Sequence, residues 1–124
     1  MSSWRCRWYP VLITLTPLAV RGLPAQTVVP DTLAAGHVGE VITVEGRVHD
    51  VHVSSQRGVS FLNFGGAFPR ITFTAHVPDS VAARIPGLTG LGGRGVRVTG
   101  RIWLQDDKWP AITITDPGQL RPLE

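Results

Sequence analysis

The sequence predicts an all-β fold with one short helix, arranged as a five-stranded Greek-key barrel in the order β-β-β-α-β-β. Apolar and polar residues alternate in several separate stretches, and this period of two is typical of half-buried strands. Fourteen glycines and ten prolines in 124 residues indicate many short elements joined by turns. One stretch with helical spacing separates the third predicted strand from the fourth.

The first 25 residues predict a secretory signal peptide. Arg5 and Arg7 precede a mostly apolar stretch at 11–20, and the small residue Ala25 follows it. This stretch is shorter than the roughly 20 residues that a membrane span needs. We therefore expect a secreted or periplasmic protein, with an uncleaved anchor or a misassigned start codon as the alternatives. Residues 26–37 then form a lead-in, 38–117 the domain and 118–124 a C-terminal tail.

Removing the predicted signal peptide changes the charge balance of the chain. The full chain has 12 basic and 9 acidic residues, and three of the arginines lie in residues 1–25, which leaves 9 of each. Strong sequence-independent binding of nucleic acid usually requires a positive excess, which this balance lacks. The single cysteine, Cys6, also lies in the signal, so the mature chain has no disulfide and no thiolate ligand.

The first strand of the domain is long and bent. Residues 39–48 alternate cleanly, but the apolar phase then moves to Val51 and Val53. Such a shift predicts a β-bulge near His49-Asp50. Gly46, in the middle of the strand, indicates a bend or a close backbone approach.

The second and third strands are predicted at 59–64 and 71–77, with a helix at 78–85 after them. In the helix, Asp79 or Ser80 is placed to cap the N-terminus, and Val81 and Ile85 share one face.

The fourth and fifth strands are predicted at 96–104 and 109–115, joined by a hairpin turn at 105–108. This order is that of the oligonucleotide/oligosaccharide-binding (OB) fold. A generic β-sandwich is the alternative, but it explains neither the helix nor the bent first strand.

Four stretches resemble known OB-fold domains. Residues 39–48 (GEVITVEGRV) and 95–102 (GVRVTGRI) resemble the first and fourth strands of anticodon-binding-type barrels. Residues 61–65 (FLNFG) and 71–75 (ITFTA) are similar to the middle hairpin of small exported bacterial OB proteins and of thermonuclease-type barrels. The resemblance implies this fold and a single-stranded nucleic acid, or another oligomeric or small polar molecule, as the ligand. It does not carry over the thermonuclease activity, which needs a calcium-binding carboxylate cluster that this sequence lacks.

OB domains usually bind their ligands on the face of the second and third strands and on the neighbouring loops. If Leu62 and Phe73 point inward to the core, the residues that alternate with them point outward, onto the face where a ligand would bind. Arginines of the first and fourth strands are candidates for contacts with phosphate, and two tryptophans beside the last turn are candidates for stacking. The candidate ligand-binding residues are Arg47, Phe61, Asn63, Thr72, Thr74, His76, Arg101, Trp103 and Trp109.

Each of these candidates also has a structural interpretation. Phe61 can pack under a loop. The zero net charge of residues 26–124 favours the interpretation that the arginines lie on a solvated surface and bind no phosphate. Trp103 and Trp109 can form a cross-strand pair that stabilises the hairpin, and we favour this interpretation over a stacking platform.

The sequence predicts no enzyme, no cofactor and no metal site. Asp106-Asp107 lies in a predicted turn, where paired acids are typical of turn chemistry. His49 and His52 lack a convincing third ligand. We therefore expect an exported OB-fold module that binds single-stranded nucleic acid or a similar oligomer. The alternative is an envelope protein that binds a small ligand or another protein and has no nucleic-acid role.

Overall fold

A computed structural model of the chain describes residues 27–123. The predicted signal peptide at 1–25 lies outside the described residues. The strands of the described part are β1 (Val28–Pro30), β2 (Val41–Ser54), β3 (Val59–Phe64), β4 (Phe73–Pro78), β5 (Gly95–Arg101), β6 (Trp103–Gln105), β7 (Trp109–Thr113) and β8 (Leu120–Pro122). Its helical elements are α1 (Asp79–Ala82) and the 3-10 turns Asp31–His37, Leu88–Leu91 and Pro117–Gln119. Within residues 27–123, no helix has the length and apolarity that a membrane crossing requires.

The strands pair in the order β6-β7-β4-β3-β2-β5-β8, and β1 pairs in parallel with β2. The pairing of β4 with β7 is also parallel, and the other pairs are antiparallel. The predicted fourth strand is divided into β5 and β6 by Ile102, whose side chain is buried. The mainly β prediction is therefore confirmed.

The bend in β2 is where the sequence predicts it. Residues 41–47 pair with β5, while the C-terminal part of the strand pairs with β3. The register with β3 shifts between Val48 and Asp50, which confirms the bulge. The side chains of Asp31 and Phe64 approach the backbone of Gly46 closely, because a Cβ at this position would lie 2.6 Å from Asp31 Oδ1 and 3.0 Å from Phe64 Cδ2.

Within residues 27–123, the buried apolar side chains of the strands, of α1 and of the 3-10 turns form one core cluster. The rings of Phe64 and Phe73 meet edge to face with their centroids 5.2 Å apart, and this geometry adds to the gain from burying the rings. The 3-10 turn at 31–37 contributes the fully buried Ala34, and α1 contributes Val81. Ile85 packs partly against the same core, as the predicted helix face requires.

The predicted helix is shorter than expected. It ends at Ala82 because the next turn tightens, with Arg84 N–H bonded to the carbonyl of Val81, three residues back. The predicted side-chain cap is wrong, since Pro78 is the N-cap and no side chain bonds to the first turn.

The ends of several elements also differ from the prediction. The third strand begins at Phe73, and the side chain of Ile71 is buried but lines a cavity outside the core cluster. Residues 28–30 and 120–122, predicted as parts of a lead-in and a tail, add strands to the sheet. Both segments are too short to show a strand period on their own.

Gly46→Ala should lower the free energy of unfolding by about 1–3 kcal/mol, because the added methyl overlaps Asp31 and Phe64. Gly36→Ala is the matched control, since a Cβ there meets nothing within 4 Å. Urea unfolding of both variants measures the difference. Equal stability of the two variants would show that the close approach at Gly46 does not constrain the fold.

Candidate ligand-binding site

A cavity of about 510 Å³ opens on the outer face of β2, β3 and β4. We call this cavity the strand-face cavity. Its floor is formed by these three strands. Its walls come from the β2–β3 loop with Arg57, from the β3–β4 loop with Phe68 and Ile71, and from Gln105 at the end of β6 with Asp106 in the turn that follows. A volume of this size falls within the range of small-molecule sites.

A polar row crosses the floor of the cavity. Asp50, Asn63 and Thr74 are direct cross-strand neighbours on β2, β3 and β4. The Asn63 Nδ2 group donates to Asp50 Oδ1 at 3.0 Å, and the Thr74 hydroxyl donates to Asn63 Oδ1 at 3.2 Å. Asn63 is 5% exposed and Thr74 is 1% exposed. These bonds satisfy polar groups that would otherwise be costly to bury.

An aromatic row runs beside the polar row. It consists of His52 on β2, Phe61 on β3, His76 on β4 and Trp103 on β6. His52 stacks on Phe61 at 6.0 Å between ring centroids, and Phe61 meets His76 edge to face at 4.7 Å. His76 meets Trp103 edge to face at 5.1 Å between ring centroids, so the series of ring contacts extends from β2 to β6. The indole N–H of Trp103 donates to the hydroxyl of Thr113 at 3.1 Å, which fixes the ring.

The rim of the cavity carries a second aromatic pair. Phe68 and Trp109 lie 4.8 Å apart between centroids, and the indole N–H of Trp109 donates to the carbonyl of Pro69 at 3.0 Å. The Nζ atom of Lys108 lies 5.0 Å from the Trp109 ring, within cation–π range. Phe68 is 54% exposed, which leaves one face of the pair open to solvent.

The predicted hairpin turn sets the position of one carboxylate. Asp106 and Asp107 have φ angles of 54° and 55°, and Lys108 N–H bonds to the carbonyl of Gln105. Two central residues with positive φ are typical of a type I′ turn, which joins antiparallel strands with the correct twist. The turn places Asp106 against the cavity, and among the described residues no group of three metal-ligating side chains forms.

The pKa of His76, in the aromatic row, is displaced from its usual value. Burial lowers the pKa of the His76 imidazole from 6.5, and the Arg57 charge lowers it further. The hydrogen bond of its Nε2 atom with Gln105 Oε1 at 2.8 Å and the charge of Asp106 act in the opposite direction. The imidazole is therefore neutral near pH 7.

The structure brings most of the predicted site residues together. Phe61, Asn63 and Thr74 line the cavity, and His76 and Trp103 belong to the adjoining aromatic row. Trp109 lies at the rim through its contact with Phe68, the lining residue of the β3–β4 loop. Three candidates lie elsewhere.

Thr72, Arg47 and Arg101 are bound to other parts of the fold. The Thr72 hydroxyl bonds to Asp31 Oδ2 and to the carbonyl of Phe64, because Thr72 precedes the start of β4 and does not follow the strand alternation. The Arg47 guanidinium donates to the carbonyl of Gly93 at 2.6 Å, and that of Arg101 donates to the carbonyl of Gly39. None of the three lines the cavity.

The two tryptophans do not form the expected cross-strand pair. Trp103 is paired with Ala111, and Trp109 is paired with Gln105, so the indoles are displaced along the hairpin. Each indole instead contacts an aromatic ring of another element.

Sequence reasoning missed Asp50, Phe68, Gln105 and Asp106 as members of the site. The sequence predicted the bulge near Asp50. Because a bulge reverses which side chains of a strand point outward, it turns Asp50 and His52 to the same face of the sheet as Phe61. Phe68 and Gln105 have no sequence signal, because their positions depend on how the β3–β4 loop and the β6–β7 hairpin fold over the sheet.

No known protein family profile matches the chain, and no curated protein matches it. Solved structures do match it. One is a protein from Leishmania major Friedlin described as an aspartyl-tRNA synthetase, with a TM-score of 0.53 and 8% sequence identity. The match covers 88% of this chain and 23% of that chain. At this identity the likeness shows the fold alone, and together with the strand order it shows that this chain has a mainly β, OB-like fold.

Because the pKa of His76 is lowered in the folded state, the unfolded chain binds the proton first as the pH falls through 6.5. The free energy of unfolding should therefore be highest above pH 6.5 and should decrease as the pH falls toward the folded-state pKa. His76→Gln should flatten this decrease as the pH falls below 6.5, as measured by urea unfolding. An unchanged pH profile in the variant would exclude His76 as its source.

Proposed function

We propose that this protein is an OB-type binding module that holds single-stranded nucleic acid on the outer face of β2, β3 and β4, with one base in the strand-face cavity. In this interpretation β5 and β6 form one strand of a five-stranded barrel, divided at Ile102. The likeness to a protein described as an aspartyl-tRNA synthetase supports the proposal, as does the resemblance of the sequence to anticodon-binding-type barrels.

The aromatic row is the observation that carries the proposal. His52, Phe61, His76 and Trp103 extend across four strands on the face where OB folds usually bind. Stacking of a base on an aromatic side chain contributes about 1–3 kcal/mol and tolerates any base. A row of rings beside a polar cavity is therefore suited to hold successive bases and to read one of them.

The charges near the cavity predict a shallow dependence on salt. Arg57 lines the cavity and Lys108 lies at its rim, whereas Arg47 and Arg101 donate to backbone carbonyls away from it. Each phosphate contact of a single strand contributes a slope of about −0.7 in the logarithm of affinity against that of salt. One or two contacts then give a small slope, and stacking supplies most of the affinity.

A second function is favoured by the carboxylates of the cavity. Asp50 and Asp106 line it together with a single arginine, Arg57. This balance suits a small cationic or neutral ligand and disfavours a phosphate inside the cavity. The second proposal is therefore an envelope protein that binds such a ligand and no nucleic acid.

We also propose that the protein acts outside the cytoplasm after removal of residues 1–25, and that it binds without catalysis. The order of positive, apolar and small residues in the N-terminal segment supports export. The sequence offers no thiol nucleophile in the mature chain and no nucleophile elbow, which supports a binding role.

Titration of the purified protein into fluorescently labelled single-stranded DNA and RNA tests the first function by anisotropy. Phe61→Leu keeps an apolar side chain but removes the ring, and it should weaken binding by about fivefold to one hundredfold. Arg84→Gln is the control, because Arg84 Nη2 lies 4.0 Å from Asp116 Oδ1 and Arg84 does not line the cavity. Absence of binding at low salt would overturn the nucleic-acid function and leave the small-ligand function.

The same titration decides the role of the predicted phosphate contacts. If the strand continues past the cavity to Arg47 and Arg101, replacing each with Gln should weaken binding and reduce the salt slope by about 0.7 per contact. If the strand ends at the cavity, both variants should match the Arg84→Gln control.

A further inference from the structure

The floor of the strand-face cavity presents a hydrogen-bonding edge of fixed polarity, and this inference about its ligand depends on the proposed function. The edge consists of the Nδ2 group of Asn63 followed by the two carboxylate oxygens of Asp50. Both residues line the cavity, and they are paired across β2 and β3. The edge therefore offers a donor, an acceptor and a second acceptor in sequence.

The orientation of the Asn63 amide follows from its two partners. A carboxylate only accepts hydrogen bonds, so the group of Asn63 that lies 3.0 Å from Asp50 Oδ1 is the NH₂. The Thr74 hydroxyl donates to the amide oxygen on the other side, at 3.2 Å. Because Thr74 is 1% exposed and Asn63 is 5% exposed, packing holds this orientation in place.

The edge has unused hydrogen-bonding capacity on a buried group. Asn63 Nδ2 has two protons, and among residues 27–123 only Asp50 accepts one of them. Asp50 Oδ2 has no hydrogen-bond or ion-pair partner within this part of the chain. A polar group that is buried in a cavity wall with a free donor favours a ligand with a matching acceptor.

We infer that the strand-face cavity selects guanine. The Watson–Crick edge of guanine presents O6, N1–H and N2–H₂, which are an acceptor followed by two donors. This order is complementary to the donor and two acceptors of Asn63 and Asp50. Phe61, in the adjoining aromatic row, is placed to stack on a base bound at this edge.

The other bases match this edge less well. Thymine and uracil present an acceptor, a donor and an acceptor, so their last carbonyl would face a carboxylate oxygen. Adenine and cytosine place a ring acceptor beside their amino group, where it faces the Asp50 carboxylate. Hypoxanthine keeps O6 and N1–H of guanine and lacks the 2-amino group, so it should rank between guanine and thymine.

Thymidine heptamers with one central substitution test this inference by competition against a labelled strand. With the unmodified protein, a central guanine should bind at least about fivefold more tightly than thymine. Hypoxanthine should be intermediate, and adenine and cytosine should bind no more tightly than thymine. Equal affinities for all five heptamers would overturn guanine selection and leave the proposed function intact, whereas binding of none would overturn both.

Asp50→Asn is the decisive variant because it should reverse the preference. Its oxygen should still accept from Asn63, which places the new NH₂ group where Asp50 Oδ2 was. The edge then reads donor, acceptor, donor, which is complementary to thymine. The ratio of guanine to thymine affinity should fall to one or below, while binding of the all-thymidine heptamer is kept.

Asp107→Asn is the matched control, since Asp107 belongs to the β6–β7 turn and does not line the cavity. It removes the same charge and should leave the guanine preference unchanged. Loss of the preference in this control as well would mean that it depends on net charge, and would overturn the assignment to Asp50 and Asn63. Thermal unfolding of both variants shows that each is folded.

Discussion

The bulge in β2 is the constraint on which the rest of the molecule depends. β2 must pair with β5 through its first half and with β3 through its second half, and an unbroken ladder would keep one side-chain phase throughout. The register shift between Val48 and Asp50 changes that phase, so Val48 is buried while Asp50 turns to the outer face. The bulge therefore allows one strand to serve both parts of the sheet and also places a carboxylate in the cavity.

The two rows of the outer face follow directly from this register. Because Asp50 is opposite Asn63 and His52 is opposite Phe61, polar and aromatic pairs lie side by side across β2 and β3. Asn63 and Thr74 of the polar row are buried and Asp50 is half-buried, and the hydrogen bonds among the three offset most of the desolvation cost. Such a network rigidifies the floor of a cavity, which makes recognition of a ligand by fixed donors and acceptors physically reasonable.

The arginines of the sheet have hydrogen-bond or ion-pair partners within the fold. Arg47 and Arg101 donate to carbonyls of neighbouring loops, and Arg97 pairs with Glu45 across β2 and β5. Their guanidinium groups satisfy backbone acceptors and a carboxylate that would otherwise depend on water. The basic residues beside the cavity, Arg57 and Lys108, come from its loops.

The alternation of the sequence by itself determined the mainly β class, the approximate position of the main strands, the bulge near His49 and the close approach at Gly46. These features depend on local spacing, which a sequence displays directly. Tertiary structure alone decided that Thr72 turns to Asp31, that Trp103 and Trp109 separate, and that loop residues such as Phe68 enclose a cavity. The physical reason is that strand register and loop packing depend on contacts between residues far apart in the chain. The local alternation of apolar and polar residues does not predict these contacts.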